Sequence, residues 1–544
     1  MASYLPVVGS KQTPLANSRS AGPIDPNELA SVTVRVRSKG APGALGKLAY
    51  QLALTPLAQR RYLTHQDLLD QHGASAADLD AVEKFAQSQN LVVVHRSALE
   101  RCVVLKGSLG DLLRAFRADV QLYHHPHGTY RALRGEIHVL DSLVPIITGV
   151  FGLDTRPRQR SPFRLGSASH AGPGSGNGVS AADFAKRYNF PANIGATALD
   201  GTGQTIGIIE LGGGFQDSDL QVFFQEVGLP APGVVSVSVD HAGNSPSSAD
   251  SADGEVMLDI EVAGAVVPGA TIAVYFAPNN GDQGFIDAIS AAVHDTERKP
   301  GVISISWGSP ESASDAQGIK AFHDIFAAAG ALGITICVAS GDHGTADLSA
   351  PQWDQKIHVD HPACDDLVLA CGGTQVDPDS GADVVWNDGT PFDVTAAGGG
   401  GWASGGGIST VFAVPDYQAQ NIANMPVSID TKQPGRGVPD IAMSATNYFT
   451  RVDTMEGPSG GTSAVAPLMA ALVARLNQAK QKNVGFLNPL LYANATGPGA
   501  VVVDVVSGTN AIANTVSGYQ AGPGWDACSG LGTPDGTALL KMLA

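Results

Sequence analysis

No run of about eighteen consecutive apolar residues occurs in this 544-residue chain, so no segment is long enough to cross a bilayer as a helix. The first twenty residues, MASYLPVVGSKQTPLANSRS, lack a basic stretch followed by an apolar core, and no standard signal peptide is visible. Cysteine is scarce: Cys102, Cys337, Cys364, Cys371 and Cys528 are an odd number with no CxxC spacing. That argues against both a zinc site and a disulfide framework. Spacing leaves a bridge between Cys364 and Cys371 open, whereas Cys337 sits in an apolar run and reads as a small core residue. Charge is low, with 15% Asp, Glu, Lys and Arg, and no internal repeat is apparent. The 65 glycines gather in short runs without a period, which excludes collagen and points to tight loops around a site.

What is present suits a globular protein of two or more domains: 43% hydrophobic residues over a length too great for one ordinary core. The charge is unevenly divided. Residues 1–176 are net positive, with 20 Lys and Arg against 13 Asp and Glu, while the remainder carries 13 against 38, giving −18 in total. Segments of opposite sign attract at neutral pH. An acidic, charge-poor body also suits work in acid, where protonated carboxylates leave little excess positive charge.

Residues 31–153 read as a compact α+β unit. SVTVRVR (31–37) alternates as a strand, 77–89 is helical, and LVVVH (91–95) and CVVLKG (102–107) are strands. A helix over 108–117 and a strand near 120–123 follow, an order that resembles a ferredoxin-like layout of two helices on one sheet. Residues 156–178, RPRQRSPFRLGSASHAGPGSGNG, have no apolar periodicity and read as an exposed, protease-sensitive linker. From about residue 180 the pattern becomes α/β. Continuous apolar runs at 204–211, 271–277, 301–308 and 333–340 alternate with helical patterns at 215–227, 254–267, 283–296, 313–332 and 463–477. A doubly wound parallel sheet follows, its site expected at the carboxyl ends of the strands.

Three segments carry chemistry. In GPSGGTSAVAPLMAALVARL (457–476) a Gly-rich turn delivers Ser463 to the start of an apolar helix, where backbone N–H groups favour a developing oxyanion. A serine needs a base. His343, in DHGTA, is one candidate, but it directly follows a buried strand rather than opening a long helix. The better one is SADGEVMLDIEVAGAVVPGA (251–270), where Glu255 and Asp259 stand four apart on a largely apolar helix. Two carboxylates buried together hold a proton between them, which yields a base that works in acid.

Glu255-x3-Asp259, the S-G-D-x-G of residues 340–344 and the G-T-S-A-x-A-P around Ser463, in that order, resemble the sedolisin or serine-carboxyl peptidase family, most closely a kumamolisin-type precursor. The resemblance implies an acid-acting serine endopeptidase made as a zymogen and secreted, with polypeptide substrates and no nucleic-acid or membrane partner. It implies an α/β, subtilisin-like doubly wound catalytic domain (179–544) behind an α+β prodomain (1–155) that inhibits it, joined by an activation linker (156–178). Nothing requires more than a monomer. Ser463 is then the nucleophile, Glu255 the base assisted by Asp259, and a protonated Asp342 the oxyanion donor; Glu210 and Trp307 extend the network behind Glu255. A calcium ion (Ca2+) is also implied, held by the carboxylates of Asp504 and Asp526 and the carbonyls of Val505, Gly522 and Gly524. The chain departs from the family pattern in H-P-A-C-D-D (361–366), a loop expected near the substrate, and in the histidine-rich YHHPH (123–127).

Overall fold

The computed structural model describes residues 3–15, 18–125, 128–156, 164–165, 178–248, 252–393, 400–513 and 515–543. Most of the 156–178 linker, together with Pro126 and His127 of the histidine-rich segment, lies outside the described residues.

In the N-terminal unit β1 (Leu29–Val36) is followed by α1 (Ala44–Leu54), α2 (His65–His72) and α3 (Ala76–Ser88). Then come β2 (Val92–Ser97), β3 (Cys102–Ser108), α4 (Leu109–Ala115), the hairpin β4 (Val120–His125) and β5 (Gly128–Leu133), and β6 (Ile147–Phe151). The sheet order β2-β3-β1-β6, antiparallel throughout, is the expected ferredoxin-like layout. α1, α2, β5 and β6 add to the elements that the sequence pattern marks.

The alternation in β1 has a second meaning. Val32, Val34 and Val36 enter the unit's own core, as the period of two requires. Thr33 and Arg35, on the other face, are not solvated but buried. They meet α8 (Asp282–Val293) of the following unit, Thr33 bonding Asp287 and Arg35 reaching the Ser290 hydroxyl at 3.4 Å. The sheet is therefore a layer between two cores.

That following unit opens with α5 (Ala181–Arg187) and holds an eight-stranded sheet. Its strands, with the helices between them, are β7 (Thr205–Glu210), α6 (Asp217–Glu226), β8 (Gly233–Ser238), α7 (Asp253–Val266), β9 (Thr271–Phe276), α8, β10 (Val302–Ile305), α9 (Ala316–Leu332), β11 (Thr335–Ala339), β12 (Leu369–Val376), β13 (Asp383–Val385) and β14 (Ile441–Ser444). The order is β8-β9-β7-β10-β11-β12-β13, with β14 beside β12, and only the pairing of β12 with β13 is antiparallel. A hairpin, β15 (Tyr448–Val452) and β16 (Met455–Gly460), then leads into α10 (Val465–Lys480). The strand order reverses beside β7, so the carboxyl ends of β7 and β10 flank the switch point, where an open α/β sheet leaves a crevice. α7 is buried at every one of its positions, and that is why its residues are apolar on all sides apart from its acidic ones.

All five cysteines are buried free thiols, so Cys364 and Cys371 do not bridge; the neighbour of Cys371 is Cys337 on β11. Among the described residues no helix is long and apolar enough to cross a membrane.

α1 lies along α9, and the loop after it is clamped from both sides. Arg60, buried, donates to the carbonyls of Ala53, Thr55 and Val484. In return Lys482 donates to the carbonyls of Leu57 and Arg60, each at 2.8 Å. Arg60→Ala leaves three carbonyls, two of them buried, short of their charged donor and is expected to lower the urea midpoint of the intact chain by an amount equivalent to about 1.5–3 kcal/mol. Arg61→Ala, at the exposed neighbour, leaves the midpoint unchanged.

Candidate active site

Glu210 ends β7, and Ser306 and Trp307 directly follow β10. These three residues therefore stand at the switch point, facing the first turns of α7. The G-G-G after Glu210 allows the approach: a Cβ on Gly213, whose φ is +69°, would lie 2.6 Å from the backbone carbon of Ala252. Glu255 and Asp259, one helical turn apart, complete a string of carboxyl groups.

Glu210, Glu255 and Asp259 are each fully buried. Asp259 shares a hydrogen bond with Glu255. Burial, reinforced by the charges of Glu255 and Glu210, pushes the Asp259 carboxyl well above the ordinary range, and the Ser306 hydroxyl works against that rise. Glu210 is raised in the same way by burial and by Glu255, with the Trp307 indole opposing. Trp307 Nε1 donates to Glu210 Oε2 at 2.9 Å, and Ser306 Oγ lies 3.0 and 2.9 Å from the two Asp259 oxygens. Because both carboxyls are raised in the fold, they stabilise it below about pH 4 and cost stability as pH climbs through their raised values.

Ser463 lies in a single tight turn, Thr462–Ala464, between β16 and α10. Its hydroxyl is buried and has no hydrogen-bond partner among the described residues. The carbonyl of Ser463 is 3.3 Å from Ser306 Oγ, so one hydroxyl separates the serine from the carboxyl string. On the other side Thr462 holds Asp342, its N–H and its hydroxyl reaching Asp342 Oδ1 at 2.7 and 2.8 Å. The structure thus brings Glu210, Glu255, Asp259, Trp307, Asp342 and Ser463 to one place.

His343 is elsewhere in character. Its ring packs on Trp402, centroids 4.4 Å apart, and the Ser463 hydroxyl does not bond it. Both rings line a cavity of about 70 Å³ together with Ser306, Trp307, Asp342 and Asp360. Asp360 is pushed well above the ordinary carboxylate range by burial and by neighbouring Asp342. A Cβ on Gly308 would lie 2.3 Å from both Asp360 oxygens, so S-W-G is a glycine-ended motif because this floor needs the space. Sequence reasoning missed Ser306, Thr462 and Asp360; adjacency to W-G and to G-T-S was the available signal for the first two, and nothing marked the third.

The departing segment 361–366, expected near the substrate, directly follows Asp360 of the slot; His361, Ala363, Cys364 and Asp365 are buried, with His361 stacked on Phe412 and edge-on to Phe322. Asp365 pairs with His323 at 3.0 Å and pushes that imidazole up to about 9. In the histidine-rich hairpin, His124 Nδ1 meets Thr129 Oγ1 at 2.7 Å.

The five atoms expected around a calcium ion come from one glycine-rich loop and the strand end beside it. Gly524 N–H bonds Asp504 Oδ2 at 2.7 Å, Gly522 N–H bonds Asp526 Oδ2 at 3.1 Å, and Ser529 Oγ touches both Asp526 and the Val505 carbonyl. Burial pushes the Asp526 carboxyl up, and a cation there would supply a counter-charge to it. Hard carboxylate and carbonyl oxygens fit Ca2+.

Inside the 156–178 segment, Arg164 and Leu165 form a short strand antiparallel to β16, opposite Gly460 and Ser459, just ahead of Ser463.

Residues 16–156 match the family described as "Pro-kumamolisin, activation domain", and residues 242–496 the "Subtilase family". The chain is similar to kumamolisin of Bacillus sp. (strain MN-32), at 43% identity over 98% of this chain and 94% of that protein. It is similar to sedolisin of Pseudomonas sp. (strain 101), at 28% identity over 87% of this chain and 80% of that one. A solved Pseudomonas sedolisin, a serine-carboxyl proteinase complexed with two molecules of pseudo-iodotyrostatin, superimposes with a TM-score of 0.57, covering 68% of this chain and 98% of its own at 28% identity.

Proposed function

Given that the chain belongs to the sedolisin family of serine peptidases, as a kumamolisin-like precursor with a subtilase-like fold, we propose that it is an acid-acting, secreted endopeptidase that activates itself. Ser463 is the nucleophile, Glu255 the general base and then acid, Asp259 its proton-sharing partner, and protonated Asp342 the oxyanion donor. The observation that supports this most is a buried Ser463 hydroxyl without a hydrogen-bond partner among the described residues, on a residue whose backbone carbonyl is linked through the Ser306 hydroxyl to a string of buried carboxyls.

Ser463 attacks the scissile carbonyl carbon as Glu255 takes its proton, and the same proton passes to the leaving amine. Asp259 shares the charge that Glu255 gains and loses. Thr462 fixes one oxygen of Asp342 and aligns the carboxyl; in its protonated form it donates to the tetrahedral oxyanion, whereas ionised it repels it. Both the pair and Asp342 thus favour acid. The slot beside Trp307 takes a substrate side chain, with Asp360 at its floor.

Residues 1–155 act as the inhibitory prodomain, 156–178 as the activation linker and 179–544 as the catalytic domain, working as a monomer. The pairing of Arg164 and Leu165 with the strand before Ser463 supports cleavage within that linker. Acid acts on the interface through groups of both signs. His294, after α8, is pushed down to about 4 by burial against the N-terminal unit, so docking that is intact above pH 6.5 weakens as pH falls toward 4. Asp324, held low despite its burial by Arg101 and Lys320, loses its pairing with Arg101 in the same direction. Asp240 and Asp287, both raised by burial, oppose them. Asp504, Asp526, Val505, Gly522 and Gly524 hold a Ca2+ ion whose role is stability, since their loop lies apart from Ser463.

Across pH 2 to 8 the wild-type precursor is expected to shorten by about 175 residues and to hydrolyse peptide only in acid. Glu255→Ala and Ser463→Ala lose at least 100-fold and stay full length, while His343→Ala remains active. Activity that peaks near neutral pH or survives Glu255→Ala overturns the reading. His294→Asn slows conversion at pH 4 relative to wild type, read as the rate of chain shortening on gels, and Asp287→Asn, which mimics the protonated carboxyl that docking favours, does not accelerate it. Calcium removal with a chelator is expected to lower the thermal midpoint by the equivalent of about 2–4 kcal/mol, a response that Asp526→Asn abolishes.

A further inference from the structure

Ser306 belongs to none of the catalytic roles assigned above, yet its hydroxyl touches both halves of the site. It follows β10 at the switch point and is fully buried. Its Oγ lies 3.0 Å from Asp259 Oδ1, 2.9 Å from Asp259 Oδ2 and 3.3 Å from the carbonyl oxygen of Ser463. We infer that Ser306 is a positioning residue that couples the protonation of the Glu255 and Asp259 pair to the backbone of the nucleophile. This rests on the reading of Glu255 and Asp259 as base and partner.

A hydroxyl carries one proton and can accept as well as donate. Three acceptor oxygens lie within its reach, and it serves one of them at a time. When Asp259 is ionised, the Ser306 proton belongs on the carboxylate, the strongest acceptor present. When Asp259 carries a proton on that side, the carboxyl donates to Ser306 Oγ and the Ser306 proton turns to the Ser463 carbonyl. Each protonation state thus has its own fully bonded arrangement, and the nucleophile's turn feels which one is present. The near-equal distances to the two carboxyl oxygens fix the plane of Asp259, and with it the edge presented to Glu255.

The groups facing Asp259 are few. Glu255 comes from its own helix, Glu210 from the end of β7, and Ser306 from the end of β10, with the backbone of Ser463 behind it. Glu255 and Glu210 both raise its proton affinity, and Ser306 works the other way. The next residue, Trp307, does the same for Glu210. One dipeptide therefore supplies the uncharged donor to each outer carboxyl of the string, and the central one, Glu255, is left to exchange the proton with substrate.

The test is the pH profile of kcat and of kcat/KM for Ser306→Ala, with Ser306→Thr and Glu255→Ala alongside. Loss of the donor lets the pair hold its proton to higher pH. Since coupled carboxyls titrate as a unit, the carboxyl-governed limb is expected to move up by about half to one pH unit. kcat falls roughly tenfold at the wild-type optimum while KM stays within about twofold. Ser306→Thr, which keeps the hydroxyl, restores the limb. If alanine lowers the yield of folded precursor, Ser306→Cys, of nearly the same size and a weaker donor, is read for the same upward movement. An unmoved limb with a changed KM makes Ser306 only a wall of the slot and overturns the inference while Glu255→Ala is silent. Should Glu255→Ala itself be active, the carboxylate reading falls first.

Discussion

Glu210, Glu255 and Asp259 are packed against one another out of contact with water, and no cation stands among the groups that set the proton affinity of Glu210 or Asp259. Three ionised carboxylates in that position would cost far more than a domain's whole stability margin, so the fold keeps protons there. Much of the surrounding architecture follows. α7 has no solvated face on which to place a counter-ion, and the donors that remain available are neutral: a serine hydroxyl and an indole N–H, both from the strand end beside the switch point. A neutral donor trims a carboxyl's proton affinity without cancelling it, which is what a base that must both take and return a proton needs.

The N-terminal unit is held by two kinds of contact with different responses to pH. The clamp made by Arg60 and Lys482 runs to backbone carbonyls, which do not titrate. Across the sheet, Asp287, Asp324 and His294 do titrate, in a polar layer that they form with arginines of the N-terminal unit. The charge split visible along the chain is thus concentrated in one layer, but as a set of opposing titrations rather than as simple attraction between a basic and an acidic body. Acid shifts their balance and leaves the α1 clamp intact.

Much of this was legible in the sequence, and the reasons are local. Continuous apolar runs marked β7, β9, β10 and β11 because strands buried on both faces have no polar side to alternate. Glu255 and Asp259 stood out because charges four apart are conspicuous in an apolar helix. Alternation in β1 was read correctly as a strand, but a period of two says nothing about whether the polar face meets water or a second core; here it meets α8. α1 and β6 escaped because an amphipathic helix after Pro42 and Gly43, and a five-residue strand containing a glycine, carry weak periodic signals. Ser306, Thr462 and Asp360 owe their places to tertiary approach, and a lone hydroxyl or carboxyl beside a glycine has no spacing to reveal it.

Asp342 and Asp360 repeat the logic of the string on the other side of Ser463. Asp360 is buried and raised, with Asp342 among the causes, and one of its oxygens has no hydrogen-bond partner among the described residues. Two separate sets of crowded carboxyls therefore flank the proposed nucleophile, one behind its proposed base and one around the slot. As pH rises, neither set can ionise fully without the repulsion falling on its own neighbours. An environment that only raised the base would give an enzyme with a basic general base and a neutral optimum. In the proposed mechanism, crowding carboxyls on both sides instead ties proton acceptance, oxyanion support and the floor of the slot to the same range of pH, because each carboxyl's ionisation is opposed by its neighbours.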